Sequence, residues 1–434
     1  AERYLRGSLA PAAPIPNRAA FSLVVAWHGV KLGSLSHDGH EWRWAAAKGS
    51  FPPLIRETIP GALPPFIESL LPEGWLAQVL RDEDERSALR QGKRYLSNIT
   101  ITEDARELGL LPRDMLEGRL QGFANEGLFS GRYEGAERAA LEGSFEANLA
   151  RIFASGTTPR LSGVQIKAPM NLDRDGRLRA ATDLPFTHIL KPAGTSGFEH
   201  MPIVEWLCLE LGARAGFRSA ACALVKMPED MPPALLVERF DVREGAKDER
   251  FLALEDFCSL LGVRSEDKYK GTIERMARAL RAVSTEPSED LATLFRRALF
   301  TWLIADGDMH LKNVAILKIA ATGARDFASA RLSPLYDTLT TRVFPGLEHD
   351  HMALKLAGKE DRLRWRDFET LARTIDLPLR QAADIAHALV HSLDAAAADV
   401  GLPAALRSKA AEETAASVAA IVGERCAALA AELG

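Results

Sequence analysis

Apolar positions in the first part of the chain come in short dense runs. Phe21 to Trp27 reads FSLVVAW, His28 and Gly29 make a tight turn, and Val30 to Leu35 resumes, which predicts an opening β-hairpin. After a Pro/Gly-rich stretch from Phe51 to Pro65, the apolar residues of 65–76 shift to spacings of three and four, the pattern of helix, broken at Pro72-Glu73-Gly74. Residues 103–148 are charged and predicted mostly helical, and Ser155-Gly156-Thr157-Thr158-Pro159 marks a boundary or loop. Strands are predicted over 163–169, 186–190 and 235–240, with a helix from about Met201 to Ala215 between the last two. From Leu252 nearly to the end the period is helical, interrupted at 306–313, 331–339 and 345–351. The last helix gathers Val418, Ile421, Val422, Cys426, Leu429 and Leu433 on one stripe, which predicts a face turned to a core rather than a membrane anchor.

Composition narrows the possibilities. With 434 residues and 47% hydrophobic content the chain exceeds one ordinary core, so two or three packed units are expected. A formal net charge of −5 argues against a protein that grips nucleic acid unaided, because counterion release needs a concentrated basic surface. Cys208, Cys222, Cys258 and Cys426 lie far apart inside apolar runs, without a CxxC pair, and are expected to be buried thiols in a reducing compartment. No apolar h-region opens the chain and no charge-free run of eighteen apolar residues occurs, so a soluble, cytoplasmic protein without membrane contact is expected.

The chemistry concentrates in Ala305-Asp306-Gly307-Asp308-Met309-His310-Leu311-Lys312-Asn313 and in the later Leu335-Tyr336-Asp337-Thr338. An aspartate, an asparagine five positions on and a later aspartate fit phosphoryl transfer. One carboxylate receives the substrate hydroxyl proton; the amide and the second carboxylate hold Mg²⁺. Asp308 is then the base and Asn313 and Asp337 the metal ligands, with Asp306 and Gly307 where a histidine and an arginine are familiar. Lys312 is a candidate for neutralising the γ-phosphate, and His310 either shares in catalysis or packs the loop. Lys191, closing the apolar run Phe186-Thr187-His188-Ile189-Leu190, is the candidate phosphate cation, and Glu205 or Glu210 on the next helix its acidic partner, Glu205 being preferred because it comes early enough to face the strand. Ser162, Gly163, Val164, Gln165 and Lys167 can cover phosphates, although they form no GxGxxG loop. Glu238, Arg239 and Phe240 make a candidate adenine hinge, with Asp241 either accepting from the ribose or forming a salt-bridged strand exit. Glu348-His349-Asp350-His351 reads as a polar loop rather than a metal cluster. The expected fold is α+β and protein-kinase-like, with two lobes: an N-terminal β-rich subdomain over 1–115, a small lobe over 116–241 and an all-helical C-terminal lobe over 242–434.

Taken in order, these motifs resemble the HipA family of bacterial toxin kinases. The resemblance runs from Leu70-Leu71-Pro72-Glu73-Gly74 through Ser162-Gly163-Val164-Gln165-Ile166-Lys167, the strand ending at Lys191-Pro192, and Val237-Glu238-Arg239-Phe240-Asp241. It continues with Glu255-Asp256-Phe257-Cys258 to Lys268-Tyr269, then Gly307 to Asn313, and finally Leu332 to Asp337. It implies a serine/threonine kinase that uses ATP and Mg²⁺, with Lys191 on the phosphates, 238–240 as hinge, Asp241 near the ribose and Asp308 as base. It further implies the toxin of a type II toxin-antitoxin pair, restrained by a HipB-like helix-turn-helix antitoxin, reaching operator DNA mainly through that partner, and phosphorylating an aminoacyl-tRNA synthetase so that translation stops and persistence is favoured. A kinase-fold co-repressor with weak catalysis is the alternative. Family members often carry a regulatory serine two positions before the Ser-Gly-Val-Gln stretch; here that position is Arg160, which predicts autophosphorylation that is weak or moved to Ser162, Thr157 or Thr158.

Overall fold

The computed structural model describes residues 20–27, 30–48, 60–71, 85–90, 99–107, 167–172, 178–180, 187–194, 197–225, 227, 232–242, 250–321 and 326–434. The predicted turn at His28-Gly29, nearly all of 103–148, the 155–159 boundary, Arg160 and the residues from Ser162 to Gln165 lie outside these.

The opening hairpin is present. Strand β1 (Phe21–Trp27) pairs antiparallel with β2 (Val30–His37), with a bulge between Val25 and Ala26. β3 (Trp42–Ala46) and β4 (Ile99–Thr102) complete a four-stranded sheet in the order β3-β2-β1-β4. Helix α1 (Pro65–Glu68) starts where proline sets the first-turn φ, and Phe66 and Ile67 drive into the sheet's core with Leu89 of α2 (Glu85–Arg90).

A second sheet follows, of five strands in the order β6-β5-β7-β9-β8: β5 (Ala168–Leu172), β6 (Leu178–Ala180), β7 (His188–Lys191), β8 (Cys222–Val225) and β9 (Ala234–Glu238). β7 and β9 fall where the pattern put them, while β6 and β8 are too short to show a period. Helix α3 (Met201–Arg214) packs its buried residues on β8 and β9, as expected from the 201–215 run.

Past Asp241 the expectation of an all-helical region is corrected. β10 (Arg250–Asp256), β11 (Ala315–Ala321) and β12 (Ser329–Leu332) form a third, antiparallel sheet. Its strands carry nearly continuous apolar runs, such as Leu252-Ala253-Leu254 and Ala315-Ile316-Leu317, and short runs of that kind have no period that separates strand from buried helix. The helices are α4 (Phe257–Leu261), α5 (Ile273–Val283), α6 (Pro287–Leu303), α7 (Trp365–Thr374), α8 (Leu379–Asp399) and α9 (Lys409–Leu433). Asp256 caps α4 by accepting from the Ser259 N–H at 2.8 Å, and left-handed Gly262 ends it.

One core joins α3, the inner faces of β8 and β9 and all the helices from α4 onward. A smaller one lies under the first sheet and reaches Ala253 of β10 and Ala320 of β11, so the first and third sheets share apolar cover. In α9, Val418, Val422, Cys426 and Leu429 are buried against that larger core as the stripe predicts; the helix also has the length and apolar composition that would cross a membrane. Cys208, Cys258 and Cys426 are buried, Cys222 half-buried, and all four are free thiols.

Candidate active site

Lys191 closes β7 in the middle of the five-stranded sheet and points to α3, where Glu205 is wholly buried. The ammonium donates to Glu205 Oε1 at 2.5 Å and also to Asp337 Oδ1, while Lys167 reaches Asp337 Oδ2 at 3.4 Å. Glu205, not Glu210, therefore meets the strand lysine. Burial alone would discharge Lys191, but the charges of Asp337 and Glu205 outweigh it and hold the ammonium above the usual lysine range. Burial likewise opposes the Asp337 carboxylate, yet Lys167 and Lys191 hold it far below the usual carboxylate range. Burial pushes Glu205 up, with Lys191 working against that shift. Glu205 Oε2 is buried without a hydrogen-bond partner among the described residues, and Asp337 has φ +51°, a left-handed backbone that a residue other than glycine rarely adopts.

The catalytic-loop candidate begins where α6 runs out. Ala305 turns left-handed at φ +55° and its carbonyl accepts from the Thr341 N–H at 3.2 Å. Asp306, only 1% exposed, then accepts from the Asp308 N–H at 2.9 Å and from the Thr338 hydroxyl at 2.8 Å, tying this loop to the one that carries Asp337. Burial raises its pKa to about 8. Gly307 is required by close approach, since a Cβ there would lie 1.9 Å from Asp350 Oδ2. Asn313 donates through Nδ2 to the Asp308 carbonyl at 2.9 Å and the Asp337 carbonyl at 3.4 Å, so its amide spans both loops. Asp308 Oδ1 accepts from the Tyr269 hydroxyl at 2.6 Å; burial raises its pKa, the phenol hydrogen bond lowers it, and the Asp337 charge adds to the rise.

The remaining candidates fall elsewhere or close on themselves. Lys312 donates to the Ser69 carbonyl of the N-terminal part at 2.7 Å and to Ser265 Oγ at 3.3 Å, so its ammonium is engaged across the domain junction. His310 is buried, with Tyr269 edge-on to its ring at 5.0 Å between centroids. Asp241 forms a buried two-point ion pair with Arg239, at 3.1 and 3.0 Å, which is the salt-bridged strand exit rather than an open acceptor. The Glu238 and Arg239 N–H groups donate to the Ala221 and Thr187 carbonyls at 2.8 and 2.9 Å, and Phe240 packs on Tyr336 with ring centroids 5.5 Å apart. Asp350, from the polar loop, accepts through its carbonyl from Arg342 Nε at 2.8 Å.

Sequence reasoning missed two residues of this constellation. Asp306 registered only as the group standing in a familiar histidine's place, two positions before the aspartate; that offset was its signal. Tyr269 entered only as the end of a matching stretch, and nothing local tied it to Asp308, which is 39 residues away.

Asp337 and Asn313 suit a hard divalent cation. The first is an ionised carboxylate held charged by two lysines, and the second has an amide side chain fixed between the two loops through its Nδ2, which leaves its carbonyl oxygen as a further hard donor.

Residues 160–397 match the HipA-like C-terminal domain family, which covers Lys191, Glu205 and both loops. Two Sinorhizobium fredii proteins that carry kinase names are similar: Y4mE is 32% identical over 230 residues, covering 50% of this chain and 52% of the relative. Y4dM is 28% identical over 293 residues, covering 64% of this chain and 62% of the relative. The match thus spans between half and two thirds of those relatives' length. Among solved structures, a chain from the Shewanella oneidensis MR-1 toxin-antitoxin complex of HipA, HipB and operator DNA superposes with a TM-score of 0.69 over 95% of this chain and 98% of that one, at 18% identity. At that identity the likeness establishes the fold.

Proposed function

The chain belongs to the HipA-like C-terminal domain family and has its protein-kinase-like fold, and from that premise we propose that it is an ATP- and Mg²⁺-dependent serine/threonine protein kinase. The observation that carries the reading is convergence: Lys191 and Glu205, Asp308, Asn313 and Asp337 come from four separate elements and meet around one space. Phosphoryl transfer asks a protein for position and charge more than for covalent help. In this reading Lys191 and Lys167 turn to the phosphates, with Glu205 fixing the Lys191 ammonium. Asp308 receives the proton of the acceptor hydroxyl, and the burial that raises its pKa makes it a better base than a solvent carboxylate. Asn313 and Asp337 would hold Mg²⁺, which when bound would supply positive charge beside the phosphates. Residues 238–240 face the adenine, and the buried Arg239–Asp241 ion pair holds that segment in place.

The biological role we propose is that of a cytoplasmic toxin in a type II toxin-antitoxin pair, with a HipB-like helix-turn-helix partner that brings it to operator DNA, and with an aminoacyl-tRNA synthetase as substrate. The resemblance in sequence order supports this, as does the solved relative's complex with HipB and operator DNA. The net charge of −5 fits an indirect contact with DNA. The co-repressor alternative does not require Lys191, Asp308, Asn313 and Asp337 all to be kept.

The test is transfer of the γ-phosphoryl group of labelled ATP to bacterial proteins, with growth on induction followed in parallel. Wild type is expected to label a small set of proteins and arrest growth; Asp308→Ala is expected to lower labelling about 10²- to 10⁴-fold and relieve the arrest. Equal toxicity and labelling by the alanine variant would remove Asp308 from the chemistry.

A further inference from the structure

We propose that Tyr269 gates the acceptor subsite: its phenolic hydroxyl occupies the position from which a substrate hydroxyl must hand its proton to Asp308. The inference rests on the kinase reading above. In an enzyme whose base waits for a hydroxyl donor, the group bonded to Asp308 Oδ1 at 2.6 Å is already a hydroxyl, supplied by the chain itself. A substrate hydroxyl that hands its proton to Oδ1 needs the place this phenol fills, so one must leave before the other enters.

The phenol is held by scaffold. Tyr269 stands in the turn between 265 and 272, and that turn is bonded to the catalytic loop by the Leu311 N–H donating to the Lys268 carbonyl at 3.1 Å. Gly271 lies so close under Leu311 that a Cβ would approach its side chain to 2.8 Å. At the other end of the turn, the Ser265 N–H donates to both Glu68 oxygens at 3.2 Å, while Lys312 of the catalytic loop reaches Ser69. The N-terminal part therefore grips both the turn that carries the phenol and the loop that carries the base.

Exposure shows which way the gate swings. Tyr269 is 46% exposed, one of three large exposed hydrophobic side chains among the described residues. Its ring has His310 on one edge and the Lys268 ammonium 5.6 Å from its centroid. A side chain this exposed has little apolar packing to lose on outward rotation, and the rotation breaks the charge-assisted hydrogen bond to Asp308. A buried tyrosine in the same role would instead be a fixed support for Asp308.

Water is the simplest acceptor and needs no knowledge of the substrate. In hydrolysis a water oxygen bonds the γ-phosphorus, the bond from that phosphorus to the β,γ-bridging oxygen breaks, and the water proton passes to Asp308. The experiment measures inorganic phosphate release from MgATP by the full chain without a protein acceptor, together with binding of a fluorescent ATP analogue. Tyr269→Phe keeps the ring and removes the hydroxyl; Tyr269→Leu removes both. Both are expected to raise hydrolysis about tenfold, the scale of one charge-assisted hydrogen bond that no longer opposes entry, with analogue affinity unchanged. Adding Asp308→Asn to Tyr269→Phe is expected to abolish the gain. Hydrolysis by both variants at or below the wild-type rate, with analogue affinity intact, overturns the gate and makes Tyr269 a support for Asp308. If neither wild type nor variants bind the analogue, the kinase reading itself fails and the gate falls with it.

Discussion

Two lysines among the described residues are buried on strands against a glutamate, and they differ in what surrounds them. Lys318 on β11 donates to Glu255 Oε2 at 2.6 Å, and Glu255 Oε1 takes the Ser259 hydroxyl at 2.6 Å. The ammonium lies 5.8 Å from the Trp27 ring and 5.3 Å from the Phe327 ring, so the pair is closed, with both carboxylate oxygens satisfied at the joint between the first and third sheets. Lys191 instead faces two carboxylates, one with a buried oxygen that has no partner and the other on a left-handed backbone at the edge of solvent. A closed pair secures a junction. An open one, with an unsatisfied oxygen and a left-handed aspartate, fits the proposed nucleotide site.

The comparison breaks most visibly in catalysis. Lys191→Met should lower phosphoryl transfer about 10²- to 10³-fold, the scale of losing one preorganised charge, whereas Lys318→Met should leave the rate per folded molecule unchanged. Equal losses would mean that Lys318 also serves the site.

Stability sharpens it next. Each single methionine variant strands a buried glutamate and should cost about 3–5 kcal/mol, read from denaturant unfolding. Replacing both partners should restore most of that in either place. Lys318→Met with Glu255→Leu should then be stable and active, and Lys191→Met with Glu205→Leu stable and inactive.

A pH-dependent effect comes from Asp306, a buried carboxylate whose pKa rises to about 8 through burial. The unfolded chain loses this proton near 3.8 and the folded chain near 8, so between those values the unfolded state binds fewer protons. Stability contributed by this site falls as pH rises across that window and levels off above it. Asp306→Asn, which keeps an acceptor for the Asp308 N–H, should match wild type at pH 4 and exceed it increasingly toward pH 8 in thermal unfolding. A constant difference across that range would contradict the burial account.

The same comparison shows how much was legible in advance. The loop from Asp306 to Asn313 could be read because its parts lie within eight residues, and Lys191 because it ends a strand just before a helix bearing Glu205. The HipA-type order of motifs and the kinase-like fold were readable on that footing. Lys318 sits in an equally apolar strand run, and nothing local distinguishes it from Lys191; only tertiary neighbours do. Asp241 was left between ribose and Arg239, a choice made by packing. Lys312, expected at the phosphates, has turned to Ser69, a residue 243 positions away. The third sheet was mistaken for helix because its runs are apolar without a period, and Tyr269 was passed over because its partner lies in another element.

Titration of MgATP into wild type, Lys318→Met and Lys191→Met by calorimetry tests the central claim most directly. Wild type and Lys318→Met should bind alike, and Lys191→Met at least about tenfold more weakly, as loss of a charge-assisted contact to phosphate requires. Binding by Lys191→Met as tight as wild type would contradict the assignment of the open pair to the nucleotide.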